Sequence, residues 1–170
     1  MLHIVLYEPE IPQNTGNIMR TCVAFSMRLH LIRPLGFRID EKSVRRSGMD
    51  YVNELDMHVY DDWLDFIAKN SGDFYFITRY GKKAPDEVKF EYLEREVYLV
   101  FGRESTGIPK SILRPNIDHC LRLPMVPDAR SLNLSNTVAI LAYEALRQNG
   151  FNGLARTEVL KGEDWLMQDA

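Results

Sequence analysis

The sequence predicts a single α/β domain in which helices flank a parallel sheet. Short apolar runs alternate with helical patterns along the chain, and several of the runs are unbroken, as in strands buried on both faces. The chain has 170 residues, 45% of them hydrophobic, which suits one compact domain with a substantial core. Strands and helices in alternation are typical of folds with right-handed crossovers.

The apolar runs place the strands of this sheet. In chain order they are Leu2–Tyr7 (LHIVLY), Leu29–Pro34 (LHLIRP), Asp73–Thr78 (DFYFIT), Val97–Phe101 (VYLVF) and His119–Leu123 (HCLRL). Apolar residues at helical spacing, together with start and stop signals, predict the helices. These are Gly16–Phe25, Asp61–Lys69, a short segment after Pro109, and Thr137–Gln148.

The last predicted helix is apolar on nearly every side. Ile140 and Tyr143 lie opposite the face formed by Val138 and Leu141. One sheet cannot cover both faces, so a partner subunit is expected to cover the second.

Composition argues against membrane, metal and secreted classes. No charged and then apolar leader follows Met1, and no apolar run approaches the roughly 20 residues of a membrane helix, so we expect a soluble cytoplasmic protein. Cys22 and Cys120 are far apart, and the four histidines form no zinc-binding pattern. We therefore expect no metal and two buried thiols.

The charges are distributed unevenly, although the net charge is only -3. From Arg28 to Arg46 the basic residues outnumber Asp40 and Glu41, while the other acidic residues gather later in the chain. This basic stretch is either a solvated face or a surface that contacts phosphate groups.

Loops at the carboxyl ends of parallel strands are where α/β proteins bind ligands. The loop after the first strand, EPEIPQNTGNIMRTC, offers Asn14, Asn17 and Arg20, which are either helix caps and surface residues or site residues. The loop GRESTGIP has the glycine spacing of a Walker A motif without its Lys-Ser/Thr, and no Gly-x-Gly-x-x-Gly follows the first strand. A P-loop nucleotide triphosphatase and a Rossmann dinucleotide site are therefore excluded.

The third loop, PDARSLNLSNTVAILAYEALRQNG, has more capping groups than one helix needs. Ser131, Asn133, Ser135 and Asn136 all precede the predicted helix start at Thr137. They are either ordinary turn residues or the wall of a ligand pocket.

Three segments, NTGNIMR, VFGRESTGIP and LRLPMVPDARSLNLSNTVAILAYEALR, resemble in order and spacing the signature motifs of the SPOUT superfamily of RNA ribose 2'-O-methyltransferases. With LYEPEIPQNTGNIMR and RRSGMDY added, the chain resembles the TrmL (YibK-like) subgroup, whose members methylate the wobble nucleotide of leucine tRNAs. The resemblance runs from Met1 to about Gly153. It implies one methyltransferase domain at 1–153 and a tail at 154–170.

The resemblance also implies a C-terminal deep trefoil knot in the α/β fold and S-adenosyl-L-methionine as the cofactor, held by three loops. The cofactor-binding residues would be Ile77, Thr78, Gly102, Leu123, Met125, Ser131, Leu132 and Asn133. At Gly102 a side chain would crowd the adenosine, and glycine would also permit positive φ.

Arg20 is the catalytic candidate by the same resemblance, and Glu104 is a second candidate on physical grounds. A guanidinium holds its proton, so Arg20 would orient a phosphate and stabilise developing negative charge, with that phosphate or Glu104 as the proton acceptor. The alternative for Glu104 is a structural role, as a partner of Arg103 or of backbone amides.

The resemblance further implies that the substrate is tRNA, bound at its anticodon stem-loop, and that the protein is a homodimer through the C-terminal helix. Substrate-binding candidates are Asn14, Asn17, Arg45 and Arg46. Two alternatives stay open: the same chemistry on another tRNA position or on ribosomal RNA, and a non-catalytic RNA-binding module of the same fold.

Overall fold

The structure, a computed structural model, describes residues 1–39 and 55–168. Its strands are β1 (Leu2–Tyr7), β2 (Arg28–Ile32), β3 (Met57–Tyr60), β4 (Asp73–Ile77), β5 (Val97–Phe101) and β6 (Cys120–Leu121). Its α-helices are α1 (Pro12–Ala24), α2 (Trp63–Lys69), α3 (Lys110–Leu113) and α4 (Leu134–Gln148). Short 3-10 helices lie at Pro85–Glu87, Arg114–His119 and Trp165–Met167.

The strands form one six-stranded sheet in the order β3-β2-β1-β5-β4-β6, and every neighbouring pair is parallel. The predicted parallel α/β architecture is confirmed. In the middle of the sheet, Leu6 of β1 lies opposite Leu31 of β2 on one side and Phe101 of β5 on the other. The strand order reverses between β1 and β5, so their carboxyl ends flank the crevice where ligands bind in open α/β sheets.

Two apolar layers cover the sheet. Ile4 and Leu6 pack in one layer with Ile18 of α1 and Val138 of α4. Val5 and Tyr7, which alternate with them along β1, pack in the other layer with Phe66 of α2. β1 is buried along its whole length, as its unbroken apolar sequence predicts.

Both long helices begin earlier than predicted. α1 begins at Pro12 rather than Gly16, because proline has the fixed φ and the missing N–H that suit the first helical position. α4 begins at Leu134 rather than Thr137, because the Asn133 side chain accepts hydrogen bonds from the next amides and caps the helix there.

The edge strands were the least predictable. β3 was not predicted, since Met57–Tyr60 lies at the sheet edge and His58 and Val59 are exposed. β6 is only two residues long, shorter than the predicted His119–Leu123, because it pairs with β4 alone. Cys22 and Cys120 are buried free thiols, as predicted. Among the described residues, no helix has the length and apolar character to cross a membrane.

Candidate active site

A cavity of about 530 Å³ opens at the carboxyl ends of β4 and β5, beside the start of α4. Three loops and Asn14 of α1 form its walls: the residues after β4, the residues from Gly102 to Ile108, and the residues from Arg130 to Asn133. A smaller cavity of about 120 Å³ shares Ile77, Thr78, Ser131 and Leu132 with it and adds Leu123 and Met125. Every residue predicted to bind the cofactor therefore lines one of these two adjoining cavities.

The folded backbone leaves no space for a side chain at Gly102. A Cβ there would lie 2.3 Å from the carbonyl carbon of Gly107 and 2.4 Å from the backbone nitrogen of Ile108. The loop turns back so tightly because the Gly107 amide donates to the Arg103 carbonyl at 2.9 Å. The conformational freedom of glycine is used at Gly107, which has φ +71°, and not at Gly102. Crowding by the loop backbone by itself excludes a side chain at Gly102.

The Glu104 carboxylate sits at the start of α1. Its Oε2 accepts from the Glu10 amide at 2.9 Å, and its Oε1 accepts from the Ile11 amide at 3.3 Å. Oε1 also accepts from Nδ2 of Asn14 at 3.1 Å. Free amides and the helix dipole make such a position favourable for a negative charge. Both oxygens of Glu104 are thus engaged by groups that fix the loop after β1.

Asn14 extends this contact to the third loop. Its Oδ1 accepts from Nδ2 of Asn133 at 2.9 Å. The Oδ1 of Asn133 in turn accepts from the amide of Ser135 at 2.9 Å and from its hydroxyl at 2.7 Å. Glu104, Asn14 and Asn133, which we call the site network, therefore join the loop after β5, the start of α1 and the start of α4.

Two further contacts clasp the loops after β1 and β5. Arg103 forms an ion pair with Glu8, a buried residue with φ +49° just after the end of β1. The Glu10 carboxylate accepts from the amide of Ser105 at 2.8 Å and from its hydroxyl at 2.7 Å. The adjacency of β1 and β5 in the sheet makes these contacts between distant parts of the sequence possible.

Known proteins resemble this chain over most of its length. The sequence profile of the SpoU rRNA Methylase family matches residues 1–143. The chain belongs to this family.

Relatives of this SpoU-family chain match nearly their whole length. A Geobacillus stearothermophilus protein, named provisionally as a tRNA (cytidine(34)-2'-O)-methyltransferase, is 54% identical over 155 residues, which are 91% of this chain and 99% of that protein. The tRNA (cytidine(34)-2'-O)-methyltransferase of Escherichia coli (strain K12) is 45% identical over 155 residues, 90% of this chain and 97% of that enzyme. A solved structure described as "Structural insights into the 2-OH methylation of C/U34 on tRNA" has a TM-score of 0.81 at 39% identity, covering 89% of this chain and 98% of that chain.

Some predicted residues of the SpoU-family site lie away from the cavity. Arg20 and Asn17 are exposed on α1 and do not line either cavity, although Asn14 near the start of the same helix does. Arg20 therefore lies outside the two cavities that the predicted cofactor residues line. Arg45 and Arg46 lie outside the described residues.

Side chains that were not predicted also line the larger cavity, among them Arg79, Tyr80 and Arg130. The sequence could have indicated these residues, because Arg79 and Tyr80 closely follow the end of β4 and Arg130 adjoins Ser131. Within 1–39 and 55–168, no three His, Cys, Asp or Glu side chains come together as metal ligands would.

Proposed function

We propose that this SpoU-family chain transfers a methyl group from S-adenosyl-L-methionine to the ribose 2'-hydroxyl of the wobble nucleotide of a tRNA. The observation that carries the proposal is the full-length similarity to relatives named for that activity, at 45% and 54% identity. The proposed cofactor and subunit arrangement rest on residues of the cavities and of α1 and α4, whereas the leucine isoacceptors follow from the sequence resemblance.

The two adjoining cavities suit the cofactor in size and lining. Ligand pockets commonly measure about 300–1,000 Å³ and combine apolar walls with a few polar groups. Here Ile77, Leu123 and Leu132 offer apolar surface, while the hydroxyls of Thr78 and Ser131 offer polar contacts. Among the described residues the Ser131 hydroxyl has no hydrogen-bond partner, so it is available to a ligand. S-adenosyl-L-methionine, when bound, would supply a methyl group on a sulfonium leaving group.

The site network holds the walls of this pocket in place. An in-line attack on a methyl group depends strongly on placement, and misplacement by about 1 Å can cost on the order of a hundredfold in rate. Because both Glu104 oxygens already accept from Glu10, Ile11 and Asn14, we assign Glu104 as a positioning residue. Its role as the proton acceptor stays a prediction.

Arg20 is proposed to orient a backbone phosphate and to stabilise the developing oxyanion. It lies on the exposed side of α1, which packs against α4. Ile140 and Tyr143 on the outer face of α4 are 43% and 55% exposed, so a second subunit seated there would lie beside α1. We propose a homodimer through α4 in which Arg20 reaches a site completed by both subunits.

Other parts of the proposal follow the sequence resemblance. The C-terminal segment would form a deep trefoil knot, the substrate would be leucine tRNAs in the cytoplasm, and Arg45 and Arg46 would contact the anticodon stem.

The test is methylation of leucine tRNA transcripts by the purified protein with methyl-labelled S-adenosyl-L-methionine, followed by nucleoside mapping. We expect label on the wobble ribose alone. Label at another tRNA position, or on ribosomal RNA fragments only, would favour the first alternative. Cofactor and tRNA binding without any transfer would favour a non-catalytic module, and calorimetry with the cofactor alone separates those outcomes.

A further inference from the structure

The turn after β4 is fixed by its contacts with β6. A Cβ on Gly81 would lie 2.4 Å from the carbonyl carbon of Leu121, so only glycine fits this close approach. The Gly81 amide donates to the Thr78 carbonyl at 3.3 Å, and the Tyr80 amide donates to the Thr78 hydroxyl at 3.3 Å. These contacts fix the backbone of the turn, and the side chains of the turn other than Thr78 are directed toward solvent.

Tyr80 presents its ring at the rim of the larger cavity. It is 68% exposed, although it also lines that cavity. The guanidinium carbon of Arg79 lies 5.7 Å from the ring centroid, a distance typical of a cation–π contact. Among the described residues no other aromatic ring contacts Tyr80, and its exposure leaves ring surface available for stacking.

The same turn is strongly basic. We call residues 79–83, with the sequence RYGKK, the basic turn. Lys82 and Lys83 are exposed, and within the described residues neither they nor Arg79 form an ion pair. Arg122 and Arg130 line the adjoining cavity beside them and are likewise without an acidic partner in the described ranges.

Among the described residues, three acidic residues near the basic turn form no ion pair with its cations. Glu87 accepts from the Ala84 amide at 2.5 Å and is thereby held on the following 3-10 helix. Asp86 and Asp128 are exposed, and no ion pair joins either of them to another described residue. In a chain of net charge -3, five cations without ion pairs among the described residues, on the basic turn and in the adjoining cavity wall, mark a surface for a polyanion.

We propose that the basic turn is an RNA contact surface, with Tyr80 stacking on a nucleobase next to the target nucleotide and Lys82 and Lys83 contacting its phosphates. Single-stranded RNA is commonly bound by an aromatic ring for the bases and cations for the backbone. Arg122 and Arg130 extend the positive surface toward the cavity. This inference rests on the proposed function and adds a contact that is separate from Arg45 and Arg46.

The first test removes the two lysines together, as Lys82→Ala with Lys83→Ala. Their side chains do not line either cavity, so S-adenosyl-L-methionine affinity should be unchanged. Binding to a leucine tRNA transcript should weaken about tenfold near 0.1 M salt. The log–log salt slope should fall by about 0.7 to 0.9 for each phosphate that the lysines neutralise in the wild type.

A matched control removes two exposed cations that do not line the cavities, Lys110→Ala with Arg114→Ala. The control should leave affinity and slope near those of the wild type. Equal effects of the two pairs would show general charge attraction only, and an unchanged slope in the Lys82/Lys83 pair would also overturn the proposal.

The second test separates the ring from its hydroxyl. Tyr80→Phe should keep tRNA affinity within about twofold, whereas Tyr80→Leu should weaken it about tenfold. If Tyr80→Leu instead weakens S-adenosyl-L-methionine binding as much as tRNA binding, the ring belongs to the cofactor pocket and the stacking role is wrong. If the wild-type protein methylates the tRNA and every variant binds the tRNA as the wild type does, this inference alone is refuted. If the wild-type protein neither binds nor methylates tRNA, the proposed function is refuted.

Discussion

The molecule contains two polar networks, and they differ in whether they leave hydrogen-bonding groups without a partner. The site network of Glu104, Asn14 and Asn133 borders the cavity at the carboxyl ends of the strands. A second set of hydrogen-bonded side chains lies on the face of the sheet that α2 covers. There His3 Nδ1 and His30 Nε2 are 2.8 Å apart, His30 Nδ1 is 2.9 Å from the Tyr60 hydroxyl, and His3 Nε2 bonds Glu96. We call His3, His30, Tyr60 and Glu96 the histidine network.

The hydrogen-bonding groups of the histidine rings all find partners within the histidine network. With both rings neutral, His3 donates to Glu96, His30 donates to His3, and Tyr60 donates to His30, so every ring nitrogen has a partner. Both rings are 1% exposed, and burial is the main cause that lowers the pKa of His3 and lowers that of His30 to about 3. Positive charge on the neighbouring Arg28 acts in the same direction for both.

The two networks differ in whether they leave hydrogen-bonding capacity beside a cavity. The site network ends at exposed Asn133 and beside Ser131, whose hydroxyl is unpartnered among the described residues. The histidine network contains more titratable groups, yet it has no adjoining cavity among those described. Open hydrogen-bonding capacity beside a cavity, rather than the number of titratable groups, indicates the site.

The largest effect is expected from disrupting the site network at Glu104. Glu104→Ala should lower kcat about a hundredfold, because three donors lose their acceptor and the pocket walls shift. The free energy of unfolding should fall by only about 1–2 kcal/mol, since these groups are partly exposed.

A double-mutant cycle with Asn14→Ala tests how Glu104 acts. If Glu104 positions the loops through Asn14, the two effects on kcat should be strongly non-additive. Additive effects would instead indicate an independent chemical role for the carboxylate, such as that of the proton acceptor.

Disrupting the histidine network should affect stability instead of rate. His30→Gln leaves groups of His3 and Tyr60 without their partner and should cost about 1–3 kcal/mol in chemical denaturation. At a temperature where the variant is folded, kcat should match the wild type. A matched substitution of the exposed His119 to Gln should change neither quantity. A large fall in kcat for His30→Gln would mean that the two networks are coupled.

The same network predicts how stability depends on pH. Because the folded-state pKa of His3 and of His30 lies below the ordinary 6.5, the unfolded chain binds more protons at acidic pH. The free energy of unfolding should therefore be undiminished above about pH 6.5 and fall as pH drops toward 3, by up to about 1.4 kcal/mol per pH unit for each histidine.

The charged and titratable groups around these rings are the amino group of Met1 and the side chains of Arg28, Asp56, His58, Tyr60, Glu96 and Tyr98. The bond from His3 lowers the pKa of Glu96, which adds a loss in the same direction below 4.5. When the free energy of unfolding from urea denaturation is plotted against pH across this range, the curve should be flatter for His30→Gln than for the wild type. Parallel curves would assign the pH dependence to other groups.

The smallest effect on the fold is expected at Ser131. Its hydroxyl has no partner within the described residues, so Ser131→Ala should change the free energy of unfolding by less than about 0.5 kcal/mol. Calorimetric affinity for S-adenosyl-L-methionine should nevertheless fall about tenfold, the value of one hydrogen bond. Unchanged affinity would remove Ser131 from the cofactor-binding residues.

Local sequence predicted much of the fold and part of the site. The buried strands β1 and β5 have the predicted bounds, because unbroken apolar runs are a property of the segment itself. The exposed edge strand β3 has no such pattern and was missed. The motifs predicted residues that line the two cavities, while Tyr80 was overlooked although it closely follows the end of β4.

The amino-acid sequence alone specifies where the buried strands lie, that they form a parallel sheet, and which loops have polar groups to spare. The partners of those polar groups depend on the folded chain. Glu104 and Asn14 are 90 positions apart, and they meet because β5 lies beside β1 in the sheet. Hydrophobic periodicity is local and can be read from neighbouring residues, whereas the partner of a polar group depends on which strand ends adjoin. For the same reason Gly102 is fixed by the returning backbone of Gly107 and Ile108, which its own sequence position does not reveal.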